Sequence, residues 1–283
     1  MIVKYQEVME FINASDSYTL QLIHKAIEDS FQSETRRRFE STTYYNKRYS
    51  GNGYQYLLLD NYPITGIERV SFRHESAIKI RNTSTDAMNS YAEVVYTDYA
   101  PVSLKLVVQG GANDSTTTAA FATYTTMATL IAQVTGSNGW EATIYDTDFN
   151  ALKSTNLLER RYQFAGSWNG VARASDVYLY MAGEPVENES FWAEDEESGI
   201  LHCGSGFPRG SGNVIITFAA GYTEALMPTE IKVAILGWIQ QVYRHRQEDT
   251  FGLTRLSLGD LSVTYEDMPV FTQRIIEKYK RSG

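Results

Sequence analysis

The sequence predicts an α+β protein: a helical core with a small antiparallel β-element, residues 1–75 and 199–283, interrupted by an all-β domain of sandwich or barrel type at residues 76–198. Three observations predict it. Apolar residues recur at helical spacing near both ends of the chain, while the middle carries short runs in which apolar and polar residues alternate. The middle is also richer in Thr, Ser, Gly and Tyr. Finally, the net charge of -9 lies wholly within residues 76–198 and leaves the rest neutral, a compositional step that marks a separate module.

The elements follow in order. Residues 3–13 place Tyr5, Val8, Met9 and Ile12 on one side of a short helix. Ser15, Asp16 and Ser17 offer caps for a second helix, because a short side-chain oxygen satisfies an orphan N–H of the first turn. Its stripe is Leu20, Ile23, Ile27 and Phe31, and it runs out at Thr35, where Arg36, Arg37 and Arg38 meet the negative end of the helix dipole. Those arginines read as a solvated helix end, with a nucleic-acid patch as the alternative. The chain then passes the aromatic-rich Tyr44, Tyr45 and Tyr49 and the turn at 50–53 into two strands, broken at Asn61, Tyr62 and Pro63, where proline fixes its own φ and holds Tyr62 extended. The second strand, carrying Val70 and Phe72 on one face, has a partner at 213–222, where Val214, Ile216 and Phe218 alternate with Ile215 and Thr217; the two read as one sheet.

In the middle, residues 77–80, 92–96, 104–108, 142–145 and 177–181 read as strands, with one short helix at Met127, Leu130, Ile131 and Val134 ending near Gly136. The tract 184–197 holds seven carboxylates and no Lys or Arg, the composition of a solvated loop. Residues 199–203 (GILHC) look like a returning strand and 204–212 (GSGFPRGSG) a connection to the next. Pro228 opens a third helix with Ile231, Ile235, Trp238, Ile239 and Val242 on one face. Gly237 inside it costs about 1 kcal/mol relative to Ala, for which a close contact with a neighbouring element is the expected compensation. After an alternating run at 261–265, Pro269 opens a last helix with Phe271, Ile275 and Tyr279 as its stripe and a basic surface of Arg274, Lys278, Lys280 and Arg281.

Several chemistries find no support. The single cysteine, Cys203, excludes an internal disulfide and reads as a half-buried hydrophobe. No apolar run approaches the roughly 18 residues of a membrane span, and the first residues carry acids where a signal peptide is apolar, so a cytoplasm-like setting is expected. Of His24, His74, His202 and His245, His202 stands beside Cys203, but successive strand side chains point to opposite faces. Asp146, Asp148 and Asn150 copy the opening of a calcium loop, but Ala151 and Leu157 stand where that loop requires Gly and Glu, leaving a polar turn. The glycine-rich 204–212 leads into a strand where a phosphate loop needs a helix, and it reads as a hairpin connection. No pair among the carboxylates is singled out for hydrolysis. No catalytic, cofactor or metal residue is therefore expected. Trp140, Trp168 and Trp192 in the Thr-rich middle support a second reading as a carbohydrate- or surface-binding module.

Five stretches in a fixed order carry a resemblance: Ile23 and Ala26 on a helix running into TRRRF; SGNGYQYLLLDNYPI, with Asp60, Asn61, Tyr62, Pro63 and Ile64; a strand closing in Ala220, Gly221 and Tyr222; a helix led by Pro228; and SLGDLSVTYED, with Gly259, Asp260 and Tyr265, before the basic helix. In these, over about 160 residues in two pieces, the chain resembles the head-to-tail connector, or adaptor, proteins of long-tailed bacteriophages. The resemblance implies a helical connector core and a virion neck protein that forms a dodecameric ring beneath the portal. Such a ring continues the DNA channel without sequence-specific binding and receives the tail completion or stopper protein. It implies no reaction, no cofactor and no membrane, and it gives Arg274, Lys278, Lys280 and Arg281 the portal as partner. Where the family has a Gly after the Thr, this chain has Arg36, so the helix is expected to run on before turning. Twelve copies each carrying -9 repel, so the acidic module is expected at the ring periphery, with the core's acids turned to the channel and its arginines toward protein.

Overall fold

The computed structural model describes residues 2–14, 18–168, 171–172, 176–247, 255–258, 261–264 and 268–280. The proposed caps Ser15, Asp16 and Ser17 lie outside them. In chain order the elements are α1 (Tyr5–Ile12), α2 (Tyr18–Thr35), β1 (Thr42–Gly51), β2 (Tyr56–Leu58), β3 (Ile64–Phe72), β4 (His74–Asn82), β5 (Asn89–Thr97), β6 (Ala100–Gln109) and β7 (Ser115–Ala120). There follow α3 (Met127–Thr135), β8 (Trp140–Ile144), β9 (Arg160–Trp168), β10 (Val171–Ala172), β11 (Val177–Ala182), β12 (Phe191–Asp195) and β13 (Ile200–Cys203). The chain closes with β14 (Gly210–Ala220), α4 (Thr229–Gln247), β15 (Arg255–Leu258), β16 (Leu261–Thr264) and α5 (Val270–Tyr279).

This corrects the predicted fold class. Among the described residues sixteen strands stand against five α-helices, so the chain is mostly β and not a helical core with a β insertion. Strands β1, β7 and β12 were missed because their residues favour the pleated conformation without alternating apolar and polar. β1 (TTYYNKRYSG) and β7 (STTTAA) are built on Thr and Tyr, which suit a half-buried pleated surface. The acidic tract read as a solvated loop contains β12, where the buried ring of Phe191 outweighs the exposed carboxylates around it.

Contacts divide the chain into two units at other points than the compositional step. One comprises residues 1–42, 60–63 and 220–283, the other 43–59 and 64–219. Strands β1, β2, β3, β13 and β14, which composition grouped with the helices, thus belong to the β unit, while β15 and β16 stay with the helices.

In the β unit, β4 stands between β11 and β8, and β5 lies inside a five-stranded sheet of order β10-β9-β5-β6-β7. Both sheets feed one core: Ile78 and Ile80 of β4 and Leu179 of β11 pack with Ala92 and Val94 of β5, Leu104 and Leu106 of β6, and Met127, Leu130 and Val134 of α3. Each fully buried Leu, Ile or Val is worth about 1.5–3 kcal/mol of transfer free energy. A further sheet has the order β1-β14-β3, so β14 does pair with β3, but it also pairs with the unforeseen β1. β2 leaves that group and pairs with β13 in the order β12-β13-β2.

In the helical unit the beginning and end of the chain share one core. Val8 of α1, Leu20, Ile27 and Phe31 of α2, Ile231, Ile235 and Ile239 of α4, and Ile275 and Ile276 of α5 pack together. The first residues are held by Glu28, whose buried carboxylate accepts the backbone N–H groups of Ile2 and Val3, each at 2.8 Å. The stripe expected on α5 is displaced by a fraction of a turn: Thr272, Ile275 and Ile276 face inward, the Thr272 hydroxyl donates to the Ala234 carbonyl at 2.9 Å, and Phe271 is exposed. Gly237 lacks its expected compensation, because a Cβ there would meet nothing within 4 Å. No helix among the described residues is long and apolar enough to cross a membrane.

Candidate functional site

Three of the stretches that carry the resemblance come together in the helical unit. α2 ends at Thr35, and Arg36 takes a left-handed conformation at φ 54°. Arg36 N–H donates to the Ser33 carbonyl and Arg37 N–H to the Gln32 carbonyl, both at 3.2 Å, the paired bonds by which a helix is usually closed with glycine. The helix therefore does not run on, and Arg36 takes the left-handed closing position that glycine usually fills.

That reversal drives Arg37 inward, against the reading of a solvated end. Its side chain is 6% exposed, with the guanidinium 3.6 Å above the Tyr62 ring and flanked by Phe39 and Tyr279 at 5.2 and 5.7 Å. It donates to the Tyr62 carbonyl at 2.7 Å and more weakly to the Tyr279 carbonyl at 3.4 Å. Burial pushes its pKa down, opposed by Tyr62 and Tyr222.

The same place is tied by backbone. Gly221 N–H donates to the Pro63 carbonyl at 2.8 Å, Tyr222 N–H to the Phe39 carbonyl at 2.7 Å, and Ser41 N–H to the Tyr222 carbonyl at 3.0 Å. Gly221 sits at φ 102°, and a Cβ on it would collide with the Glu40 carbonyl, so only glycine lets the two segments approach this closely. Asp60 and Asn61 lie in the same unit, whereas Ile64 begins β3 in the β unit. Pro228 precedes α4, and its carbonyl accepts the N–H of Ile231 at 3.0 Å. Gly259, Asp260, Tyr265 and Arg281 lie outside the described residues.

On α5, Arg274, Lys278 and Lys280 are exposed. Lys278 is already engaged, 2.6 Å from the Glu230 carboxylate. The Tyr279 hydroxyl also donates to Glu230; burial first, and then that carboxylate, push its pKa up. Phe11, Val233 and Phe271 are exposed, which their spacing did not foretell: Phe271 stands four residues before Ile275, the step of a shared helix face.

The β unit holds the other candidates. Trp140 is core, and the Trp168 side chain lies outside what is described. Trp192 is exposed and stacks on His202 at 4.0 Å, while Tyr56 meets the same imidazole edge-on at 5.0 Å; the three are register neighbours across β12, β13 and β2. Cys203 is buried, 3.3 Å from the Ser205 hydroxyl, with no ligand geometry shared with His202. Asp146 accepts the N–H of Asp148 at 3.0 Å at the start of a 3₁₀ turn. A separate pocket of about 530 Å³ is lined by Tyr44, Lys47, Arg48, Tyr96, Tyr99 and Glu159 among others. Among the described residues no three His, Cys, Asp or Glu side chains gather as a metal site.

No protein-family model and no curated protein matches the sequence.

Proposed function

We propose that the chain is a structural protein of a bacteriophage virion neck, joining head to tail as one subunit of a ring, dodecameric in the family it resembles. One observation carries the reading: stretches far apart in sequence, TRRRF, NYP and AGY, knit into a single junction at Arg37, Tyr62, Pro63, Gly221 and Tyr222, so the resemblance rests on residues that depend on one another. A second feature supports it. The helical unit is closed by its own two ends and leaves apolar side chains outside, as a protein does whose surfaces are completed by copies of itself.

In this role the portal protein is met by the basic end of α5 through Arg274 and Lys280, a tail completion protein docks on the far side, and DNA passes without sequence-specific contact. Arg37, buried against aromatic rings, is turned toward protein and not toward DNA. No reaction is assigned. Negative-stain imaging of the purified chain, alone and with portal rings, tests the proposal: rings that stack coaxially on the portal support it, and subunits that stay single in both samples overturn it.

The exposed Trp192, stacked on His202 beside Tyr56, favours a second role for the β unit as a sugar-stacking surface. Titration with oligosaccharides, followed by tryptophan emission and compared with Trp192→Ala, decides it; identical responses of the two proteins reject it.

A further inference from the structure

The helical unit carries two apolar surfaces that its own core does not use. The first is a groove of about 440 Å³ between α1, α4 and α5, lined by Phe11, Val233, Gly237, Arg244, His245 and Phe271. Phe11, Val233 and Phe271 are 45, 42 and 48% exposed, and at its centre Gly237 leaves the α4 backbone uncovered. The second is the outer face of α2, where Tyr18 and Leu22 are 75 and 50% exposed and Asp29 follows about two turns beyond Leu22.

Helix phase sets these surfaces on opposite sides. α2 and α4 pack on each other through Leu20, Ile27 and Phe31 on one and Ile231, Ile235 and Ile239 on the other. At 100° per residue, Tyr18, Leu22 and Asp29 fall roughly opposite the α2 core stripe, and Val233, Gly237 and Arg244 roughly opposite that of α4. The two sets also have the same spacing. Tyr18, Leu22 and Asp29 are separated as Val233, Gly237 and Arg244 are, so parallel helices would set Tyr18 at Val233, Leu22 in the gap at Gly237, and the carboxylate of Asp29 at the guanidinium of Arg244.

We infer that the α2 outer face of one copy seats in the α1/α4/α5 groove of a second copy, with Leu22 over Gly237 and Asp29 paired with Arg244. The inference rests on the ring reading above and names its contact. The occupant is a second copy because the matching spacing, the apolar stripe and the complementary charge are all supplied by this chain. Two different patches on opposite sides make the contact heterologous, the kind that closes into a ring when the rotation between neighbours allows it. Gly237 then has a purpose in the assembly: the absent side chain lets two helices approach closely.

The test uses full-length chains carrying Leu22→Glu or Gly237→Glu, both at positions open to solvent, with circular dichroism to confirm folding and native mass spectrometry to read assembly. Wild type is expected to form multimers, and each variant alone to associate about 100-fold or more weakly, because a carboxylate would be buried in an apolar contact. A 1:1 mixture is expected to give a heterodimer and nothing larger, since it contains one intact face and one intact groove. Asp29→Arg or Arg244→Asp should each weaken association about 10-fold or more, and the double variant should restore it. If wild type forms rings and the variants do too, or the mixture stays monomeric or grows beyond a dimer, this contact is wrong and the ring reading survives. A wild type that stays monomeric at every concentration, alone and with portal rings, removes both.

Discussion

Replacing Arg37 tests whether the junction holds the helical unit together. The guanidinium donates a charge-assisted bond to the Tyr62 carbonyl at 2.7 Å, worth about 1.5–3 kcal/mol. Its position 3.6 Å above the Tyr62 ring adds about 2 kcal/mol once water is excluded. Against this stands the cost of burying the charge, visible in its lowered pKa and of order several kcal/mol. Arg37→Ala loses the bond, the ring contact and the stem packing and opens a space beneath three aromatic rings, for a net cost of about 3 kcal/mol. Arg37→Met keeps the packing and removes the desolvation cost, leaving mainly an unsatisfied Tyr62 carbonyl at about 1–2 kcal/mol. Urea unfolding followed by hydrogen exchange in the α2 and α4 peptides isolates this unit. With a slope of about 1.5 kcal/mol/M, Arg37→Ala should lower the midpoint by about 2 M and Arg37→Met by about 1 M. Two midpoints indistinguishable from wild type, or a Met variant as damaged as the Ala variant, would refute the reasoning.

Three further outcomes are expected. Gly221→Ala should cost about 3 kcal/mol or more, from the positive φ and the collision with the Glu40 carbonyl, whereas Gly237→Ala should stabilise the monomer by up to about 1 kcal/mol; thermal unfolding of both separates a required glycine from a spare one. Arg36→Gly should raise stability by about 0.5–1 kcal/mol in the same assay, because glycine takes the left-handed position without strain, and a loss would mean that the arginine side chain contributes something more. In the β unit the Tyr96 hydroxyl donates to the Leu157 carbonyl at 2.6 Å and accepts from the Asn46 amide at 3.1 Å, and burial pushes its pKa up to about 12. A folded-state pKa above the unfolded value gives stability that is complete below pH 10 and lost as pH rises toward 12. Tyr96→Phe should cost about 1–2 kcal/mol at neutral pH and flatten the decline between pH 10 and 12, measured as urea midpoints across that range.

The helices were legible because each has a one-sided stripe: Leu20, Ile27 and Phe31, or Ile231, Ile235 and Ile239, can be buried together only as a helix. Strands β4, β5, β6, β8 and β11 were legible by alternation for the same reason. Strands built on Thr, Tyr and carboxylates were not, because their stability comes from neighbours in the sheet and not from a local pattern. Composition also misplaced the division of the chain, since charge is carried by surfaces while units are defined by cores. At the junction, sequence marked Tyr62, Pro63, Gly221 and Tyr222 as a group but left Arg37 in solvent. A charged residue at a helix end is ordinarily solvated, and only the left-handed turn at Arg36 brings this one under the rings of Phe39, Tyr62 and Tyr279. Phe11 and Val233 belonged to no expected stripe and Phe271 was expected inward, and these misfits are the sequence's trace of the outer groove.

Where the protein sits is the most direct test of its role. A cryo-EM reconstruction of the neck of an intact phage particle that carries this chain should show it as a closed ring between portal and tail, each helical unit touching the next through α2 and the α1/α4/α5 groove. Density for the chain absent from the neck, or found as isolated copies elsewhere on the particle, would contradict it.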